Sequence, residues 1–485
     1  MTHVCLIAEG SYPYVTGGVG KWTHDLIASI PEVEFTVVAL WPTPETVPPP
    51  RYPKLPNIRE IRPLFISVPP ENKGGFVSQS GFRAIENFHE GLKKGEVTSL
   101  VEVCPHVKAK ALLHDAGAWD LLSKLYETHA PEDTSFPDYF WTWRATHTPL
   151  FRIFQDNPCK ADVIHCISTG YAGFLGALHK IKFGAPLVTT EHGLYTRERT
   201  MDIWDADWIP GEAQADERRA ANLFKGWWKR MFEGMERITY TYSDVVIALF
   251  EENCRYQISR GSSAARTRVI PNGVDLKHFD EVRQKRRGPS EKFHVGLVGR
   301  IVQIKDIKTF IGACKIMRDR LGAGKLEVSL IGPADEDEVY GAQCIDMVRL
   351  LGLQDVVKFV GKTDPRKYYE KLDVVVLTSL SEGQPLVILE SMACGVPVVA
   401  TDVGSCRELL EGRNDEDRAL GPAGVITSLA DPEETARALI ELARQPERAR
   451  QMGESGYRRV EKHYRLEQVR ESYFELYRSL ARGRR

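Results

Sequence analysis

SLSEGQPLVILESMACGVPVVATDVG, residues Ser379–Gly404, decides how the rest of the chain is read. It sets Glu382 and Glu390 on either side of a Gly-Gln-Pro break and the start of an apolar run. A helix that only had to be buried would need neither the first glutamate nor the break. Asp373–Thr378 reads as a β-strand, Ser379–Gln384 as a loop, and Pro385 suits the first turn of the following helix. Glu382 then lies in the loop and Glu390 one to two turns into the helix. Free backbone N–H groups at that helix start, around Gln384 to Val387, make an anion site. A carboxylate in the same loop needs another ligand group, and a vicinal diol offers it two hydrogen bonds. On these residues alone, a solvated loop glutamate and an ion-paired helix glutamate fit as well.

An α/β rhythm surrounds this stretch. Strands are expected at 293–298, 326–331, 356–360, 373–378 and 397–401, apolar on both faces as a buried parallel sheet requires. Before them, Asp280–Lys292 (DEVRQKRRGPSEK) reads as a link between domains. Earlier still, Val4–Ala8 is a strand, and Gly17-Gly18-Val19-Gly20 opens a helix with Val19, Trp22, Leu26 and Ile30 on one face. Phe35–Leu40 is the next strand, so the chain starts as a doubly wound α/β domain. Proline-rich residues 42–56 read as a surface loop. Residues 80–150 read as a helical, aromatic insertion. Strands resume at 163–167, 186–190 and 245–249, and Val269–Asp275 is a strand meeting a turn. The expected domains are 1–275 with the insertion, 276–464, and a helix over 465–485 that packs back on the N-terminal domain. Two such sheets imply a cleft, with ligands at the carboxyl ends of the strands.

A chain of 485 residues exceeds one ordinary core. Its formal net charge of -2 gives no support to a general nucleic-acid or anionic-membrane role. The nine cysteines are scattered without a CxxC pair, which fits a reducing compartment. The N-terminus reads as a strand and not a signal peptide, and no stretch approaches the ~18 apolar residues that span a bilayer. A cytoplasmic location is expected.

In Val298–Lys305 a strand ends at Gly299 and two cations, Arg300 and Lys305, follow on a loop that opens a helix. An arginine fork and a lysine point charge can reach one diphosphate there; two solvated surface charges would also fit the spacing. Asp205-Ala206-Asp207 has the form of a metal-holding DxD, but no strand is expected before it. Arg300, Lys305 and a helix N-terminus already compensate a diphosphate, so no metal is assigned.

Gly299-Arg300, Lys305, and Glu382 with Glu390 inside EGQPLVILESMACGVPVVATDVG resemble the family-4 glycosyltransferases of the GT-B fold, as does Asn272-Gly273-Val274-Asp275. AEGSYPYVTGGVGKWTHDLI, Thr190-Glu191-His192-Gly193 and the long insertion are similar to the PelF glycosyltransferases of Pel-type exopolysaccharide (biofilm) assembly. The resemblance implies two Rossmann-like parallel-sheet domains facing across a cleft. It implies a retaining enzyme that passes a hexose or N-acetylhexosamine from a UDP-sugar to a polysaccharide acceptor, with no cofactor or metal. By this resemblance Arg300 and Lys305 clamp the diphosphate and Glu390 holds the ribose. Glu382 and the amides of Gly383 to Leu386 contact the sugar, and Val387 is a further substrate-binding residue. Many relatives carry Phe-Gly where this chain has Gln384-Pro385, and Pro385 offers no N–H to that cradle. His192 is the cleft histidine, Gly17, Gly18 and Val19 bring backbone close to the donor, Gly299 ends the clamp strand, and Phe359 and Lys362 flank the uracil. Recruitment to an inner-membrane polysaccharide synthase through protein partners is implied too. Two other functions share the fold's chemistry: a UDP-sugar 2-epimerase, for which no acid/base pair is evident, and a non-catalytic nucleotide-sugar sensor.

Overall fold

The computed structural model describes residues 1–68, 79–96, 98, 116–131, 134–157, 159–209, 217–286, 288 and 290–483. The chain divides into two compact units, one made of Met1–Ala248, Asn253–Val269 and Ser472–Arg485, the other of Leu249–Glu252 and Ile270–Glu471. Each is an α/β unit with an all-parallel sheet, and the fold class is the expected GT-B type.

The first unit's strands are β1 (Thr2–Glu9), β2 (Val33–Trp41), β3 (Ile58–Phe65), β4 (Val163–Cys166), β5 (Leu187–Glu191), β6 (Val245–Ala248) and β7 (Thr267–Val269). They pair in the order β3-β2-β1-β4-β5-β6-β7. Central strands are buried on both faces, as at Val4–Ala8, because helices cover both sides of such a sheet. β3 was not expected from the sequence. Its Arg59, Glu60, Arg62 and Pro63 place it at the edge, where a missing N–H is tolerated. The proline-rich loop before it holds one 3-10 turn, Pro44–Thr46, where none was expected. Of the insertion, residues 97, 99–115 and 132–133 lie outside the described residues. Its described helices, Gln79–Lys94, Ala116–His129 and Phe136–Phe154, put Phe88, Tyr139, Trp143, Phe151 and Phe154 into one core with Ile7 and Ile164.

The second unit's strands are β8 (Phe293–Val298), β9 (Leu326–Ile331), β10 (Val357–Gly361), β11 (Val374–Leu377), β12 (Val398–Thr401) and β13 (Gly424–Thr427), in the order β10-β9-β8-β11-β12-β13. Alternation along β11 sends Val374 and Val376 to one core and Val375 and Leu377 to the other. The charged stretch read as an interdomain link is corrected. Lys277–Gln284 is a helix of the second unit that buries Phe279 and Val282, and Arg286 donates to the carbonyls of Gly395 and Leu372. Its i, i+3 apolar pair is hidden among four charged residues and a histidine, which is why composition pointed to a linker.

Candidate functional site

In the second unit the strand order reverses between β8 and β11, the position where loops of a doubly wound sheet part and leave a crevice. The loop after β8 carries Arg300 and Lys305; the loop after β11 carries Glu382. Lys305 Nζ lies 2.5 Å from Glu382 Oε1, with side chains only 18% and 13% exposed. The two loops are fastened to each other. The Thr378 hydroxyl donates to the carbonyls of Lys305 and Asp306, both at 3.0 Å, and the Leu380 N–H donates to Ile304 at 2.8 Å. Asp306 turns left-handed (φ 44°) and caps the helix Ile307–Leu321 by accepting from the Thr309 N–H. Gly404 backs the Glu382 loop at φ +52°. A Cβ there would sit 2.2 Å from the Glu382 carbonyl oxygen and 2.4 Å from that of Gly383, so only glycine fits. Ser405 N–H donates to Gly383 at 2.9 Å.

Pro385 is the N-cap of the helix Leu386–Ala393, not part of its first turn as expected. Glu390 accepts from the hydroxyl of fully buried Tyr369 at 3.1 Å; burial first, and the glutamate charge second, push that phenol far above its ordinary pKa. Gln384 is 5% exposed and turned inward. Its Oε1 accepts from Asn272 N–H at 2.5 Å, its carbonyl from Asn272 Nδ2 at 3.1 Å, and its Nε2 donates to Leu249 at 3.3 Å. Its side chain therefore latches the Asn272-Gly273 turn. Leu386 and Val387 pack partly buried on the core beside it. Arg300 pairs with Glu336, each 44% exposed. Phe359 leans on the core from β10 and Lys362 is exposed just after it. β10 is an edge strand two places from β8, and its end at Gly361 accepts from the Gly332 N–H at 3.1 Å, beside the Gly299 turn that leads to Arg300. Glu336, Tyr369, Gly404 and Thr378 were not singled out from the sequence. They sit far from the residues they serve along the chain, and only Gly404, inside the opening stretch, offered a local signal.

In the first unit the helix Gly18–Ser29 starts directly after exposed Gly17. A Cβ on Gly17 or Gly18 would meet nothing within 4 Å, whereas one on Gly20 would strike the Val15 carbonyl at 2.4 Å. Packing among the described residues thus demands glycine at 20 but not at 17 or 18. Val19 is half-buried beside them. His192 follows β5, its ring edge-on to Trp22 at 4.2 Å. Burial pushes its pKa down to about 3, and its Nε2 is buried with no hydrogen-bond partner among the described residues. Two carboxylates at strand ends went unassigned in the sequence reading. Glu191 accepts from Thr169 Oγ1 (2.8 Å), Tyr240 OH (2.5 Å) and Gln257 Nε2 (3.0 Å), and burial raises it to about 7. Glu9, also raised by burial, accepts from Tyr195 OH and from Ala172 N–H at 3.1 Å. A glutamate closing an apolar strand run was the available signal. Asp205 ends the helix Tyr195–Asp205 and Asp207 follows it. Among the described residues no three His, Cys, Asp or Glu side chains gather where they could hold a metal ion, and no helix is long and apolar enough to cross a membrane.

Both units have relatives among known proteins. Residues 292–445 match the family described as Glycosyl transferases group 1. The D-inositol 3-phosphate glycosyltransferase of Paenarthrobacter aurescens is 32% identical over 223 residues, 44% of this chain and 52% of that protein. The lipopolysaccharide core biosynthesis mannosyltransferase LpsB of Rhizobium meliloti is 30% identical over 228 residues, 44% of this chain and 61% of that protein. The chain spans about half the length of curated relatives it matches. Among solved structures, sucrose-phosphate synthase from Thermosynechococcus elongatus is similar with a TM-score of 0.63 at 21% identity, over 100% of both chains. Anabaena Alr3699/HepE in complex with UDP is similar with a TM-score of 0.57 at 16% identity, over 99% of this chain and 100% of that one. Both share the fold. Residues 2–265, more than half of the chain, match the Domain of unknown function (DUF3492), and the protein therefore belongs to that family, with a glycosyl transferases group 1 domain following at 292–445.

Proposed function

We propose that the chain is a retaining glycosyltransferase that moves a hexose or N-acetylhexosamine from a UDP-sugar to a growing exopolysaccharide, without a metal ion. The observation that carries this reading is the Lys305–Glu382 pair at the β8/β11 reversal. It puts a cation and a carboxylate on adjacent strand-end loops, with the start of the Glu390 helix in the same segment, which supports a role for Glu382 facing the sugar. A diphosphate entering there competes with Glu382 for Lys305 and with Glu336 for Arg300, freeing Glu382 for sugar hydroxyls. As the C1–O bond to UDP breaks, the acceptor oxygen bonds to C1 on the same face and its proton passes to the departing phosphate. Arg300 and Lys305 stabilise the negative charge that grows on the leaving group. The glycines at 17 and 18, which packing does not require, leave room for a ligand to lie against backbone. The named activities of the relatives and the UDP bound by the Anabaena protein support a nucleotide-sugar donor. Recruitment to an inner-membrane synthase through protein partners belongs to the same proposal.

The test is transfer from a panel of UDP-hexoses in the presence of EDTA, with UDP, GDP and ADP compared by calorimetry. Arg300→Ala and Lys305→Ala are each expected to lower transfer about a hundredfold or more with unchanged unfolding midpoints. Full activity in both would remove the clamp, and a strict need for a divalent ion would remove the metal-free reading. Incubation with UDP-N-acetylglucosamine and no acceptor should release UDP slowly; formation of an epimer would point to an isomerase instead.

A further inference from the structure

The proline-rich loop 42–56 has no part in the donor-sugar reading, yet it carries one ring to the turn that opens the helix Gly18–Ser29. Pro48, Pro49, Pro50 and Pro53 restrict the backbone on either side of Tyr52, so less conformational freedom is lost in presenting its side chain. The Arg51 N–H donates to the Pro13 carbonyl at 2.9 Å, which ties this loop to the one that follows β1. The Tyr52 ring stacks on His24 (5.1 Å, 28°) and tilts against Tyr12 (5.4 Å, 38°). Tyr12 is fully buried and its hydroxyl lies 3.4 Å from His24 Nδ1, so two rings of the first unit fix the third. That third ring covers Gly20. A Cβ there would sit 3.1 Å from the Tyr52 phenol oxygen and 3.4 Å from its Cε2. The turn beside it is otherwise open. Val15, Thr16, Gly17 and Gly18 are exposed, and space beside both glycines is empty. Gly17 is the N-cap and has no side chain to accept from the first helical N–H groups. Two adjacent uncapped glycines sample many backbone shapes, and a ring wedged on the following turn narrows that choice.

We propose that Tyr52 is a positioning residue, which braces the Gly17-Gly18-Val19 backbone in the shape that receives a nucleotide-sugar. What the turn receives rests on the donor reading above; the brace itself does not. Amide hydrogen exchange at residues 17–21 and calorimetry with UDP, both on the full chain, test it. Tyr52→Leu should speed exchange at these amides at least tenfold and weaken UDP about tenfold, the size of one lost hydrogen bond to a charged group. Tyr52→Phe keeps the stacked ring and should return both to within about twofold of the native chain. If Tyr52→Leu does not fold, His24→Leu removes the ring it stacks on and should give the same pair of changes. Native exchange rates in Tyr52→Leu overturn the brace, and so does a Tyr52→Phe chain that loosens as much as Tyr52→Leu. Faster exchange with unchanged UDP affinity overturns the link to the donor. A native chain that binds no UDP overturns the donor reading instead, and the exchange rates alone then decide the brace.

Discussion

Lys305 and Glu382 each carry a charge that the other neutralises in the ligand-free protein. Glu382→Gln is therefore expected to tighten UDP binding severalfold while lowering transfer, because the diphosphate no longer displaces a carboxylate; calorimetry and turnover measured together check this. Glu191 makes a second prediction. Its carboxyl titrates near 7 when folded against an ordinary 4.5, so between those values the folded state keeps a proton that the unfolded state has lost. This contribution to stability falls as pH rises through that window, by about 3 kcal/mol in all. Glu191→Gln, measured against the native chain by urea unfolding at pH 5 and pH 8, should gain about 2–3 kcal/mol in relative stability at the higher pH. The charged residues of the site were legible because charges on a strand-end loop stand out. Their partners were not. Asn272 reaches Gln384 across 112 positions, and a sequence does not say which way an amide side chain turns.

Elements tell a similar story. Strands that are apolar on both faces were found from composition, whereas β3 and β13 were missed and the strand expected from Val269 ends there as β7. β7 is only three residues long, β13 is an edge strand that starts on glycine with Val425 and Ile426 half-buried, and β3 is broken by charge and proline. Within the loops, Gly404→Ala should displace the Glu382–Gly383 backbone and cost several kcal/mol or abolish transfer, since backbone oxygens cannot yield as a flexible side chain would. Loss of UDP binding in a folded variant would show the loop has moved. Arg459 holds together elements that the sequence leaves unconnected. Fully buried, it pairs with Asp417 at 2.6 Å and donates to the carbonyls of Leu409, Leu410, Asp417 and Gly421. Arg459→Ala strands a buried carboxylate, and chemical denaturation should show a loss of about 3–5 kcal/mol. The helix Leu466–Arg482 supplies Tyr473 and Tyr477, both fully buried, to the first unit. Tyr477 OH pairs with His165 Nδ1 at 2.7 Å, His165 Nε2 with Thr190 at 2.8 Å, and Thr190 with Tyr473 at 3.0 Å.

At the scale of the molecule, three neutral histidines (His147, His165 and His192) are held far below their ordinary pKa by burial, and all belong to the first unit. Each must take a proton on unfolding in acid, so stability present above 6.5 drains away as pH falls below it. At pH 5.5 the cost is about 1.4 kcal/mol apiece and about 4 kcal/mol together, which exceeds the opposing gain of about 2 kcal/mol from Glu191. Calorimetric scans at pH 7.5 and 5.5 should therefore show the transition of the first unit falling more steeply than that of the second. Division into two doubly wound units was legible throughout, because two runs of β-α alternation recur along the chain. The return of the C-terminal helix was read from the sequence, and Ser472–Arg485 belong to the first unit, whereas the short Leu249–Glu252 segment that joins the second carried no signal. That helix has a consequence for biosynthesis. By residue 269 the ribosome has delivered every strand of the first sheet, yet the tyrosines that seal His165 emerge only after the whole second unit has been translated. The nascent half-built domain must wait with that seam open, which makes it a natural client for chaperones and makes a chain stopped at Glu471 prone to aggregate.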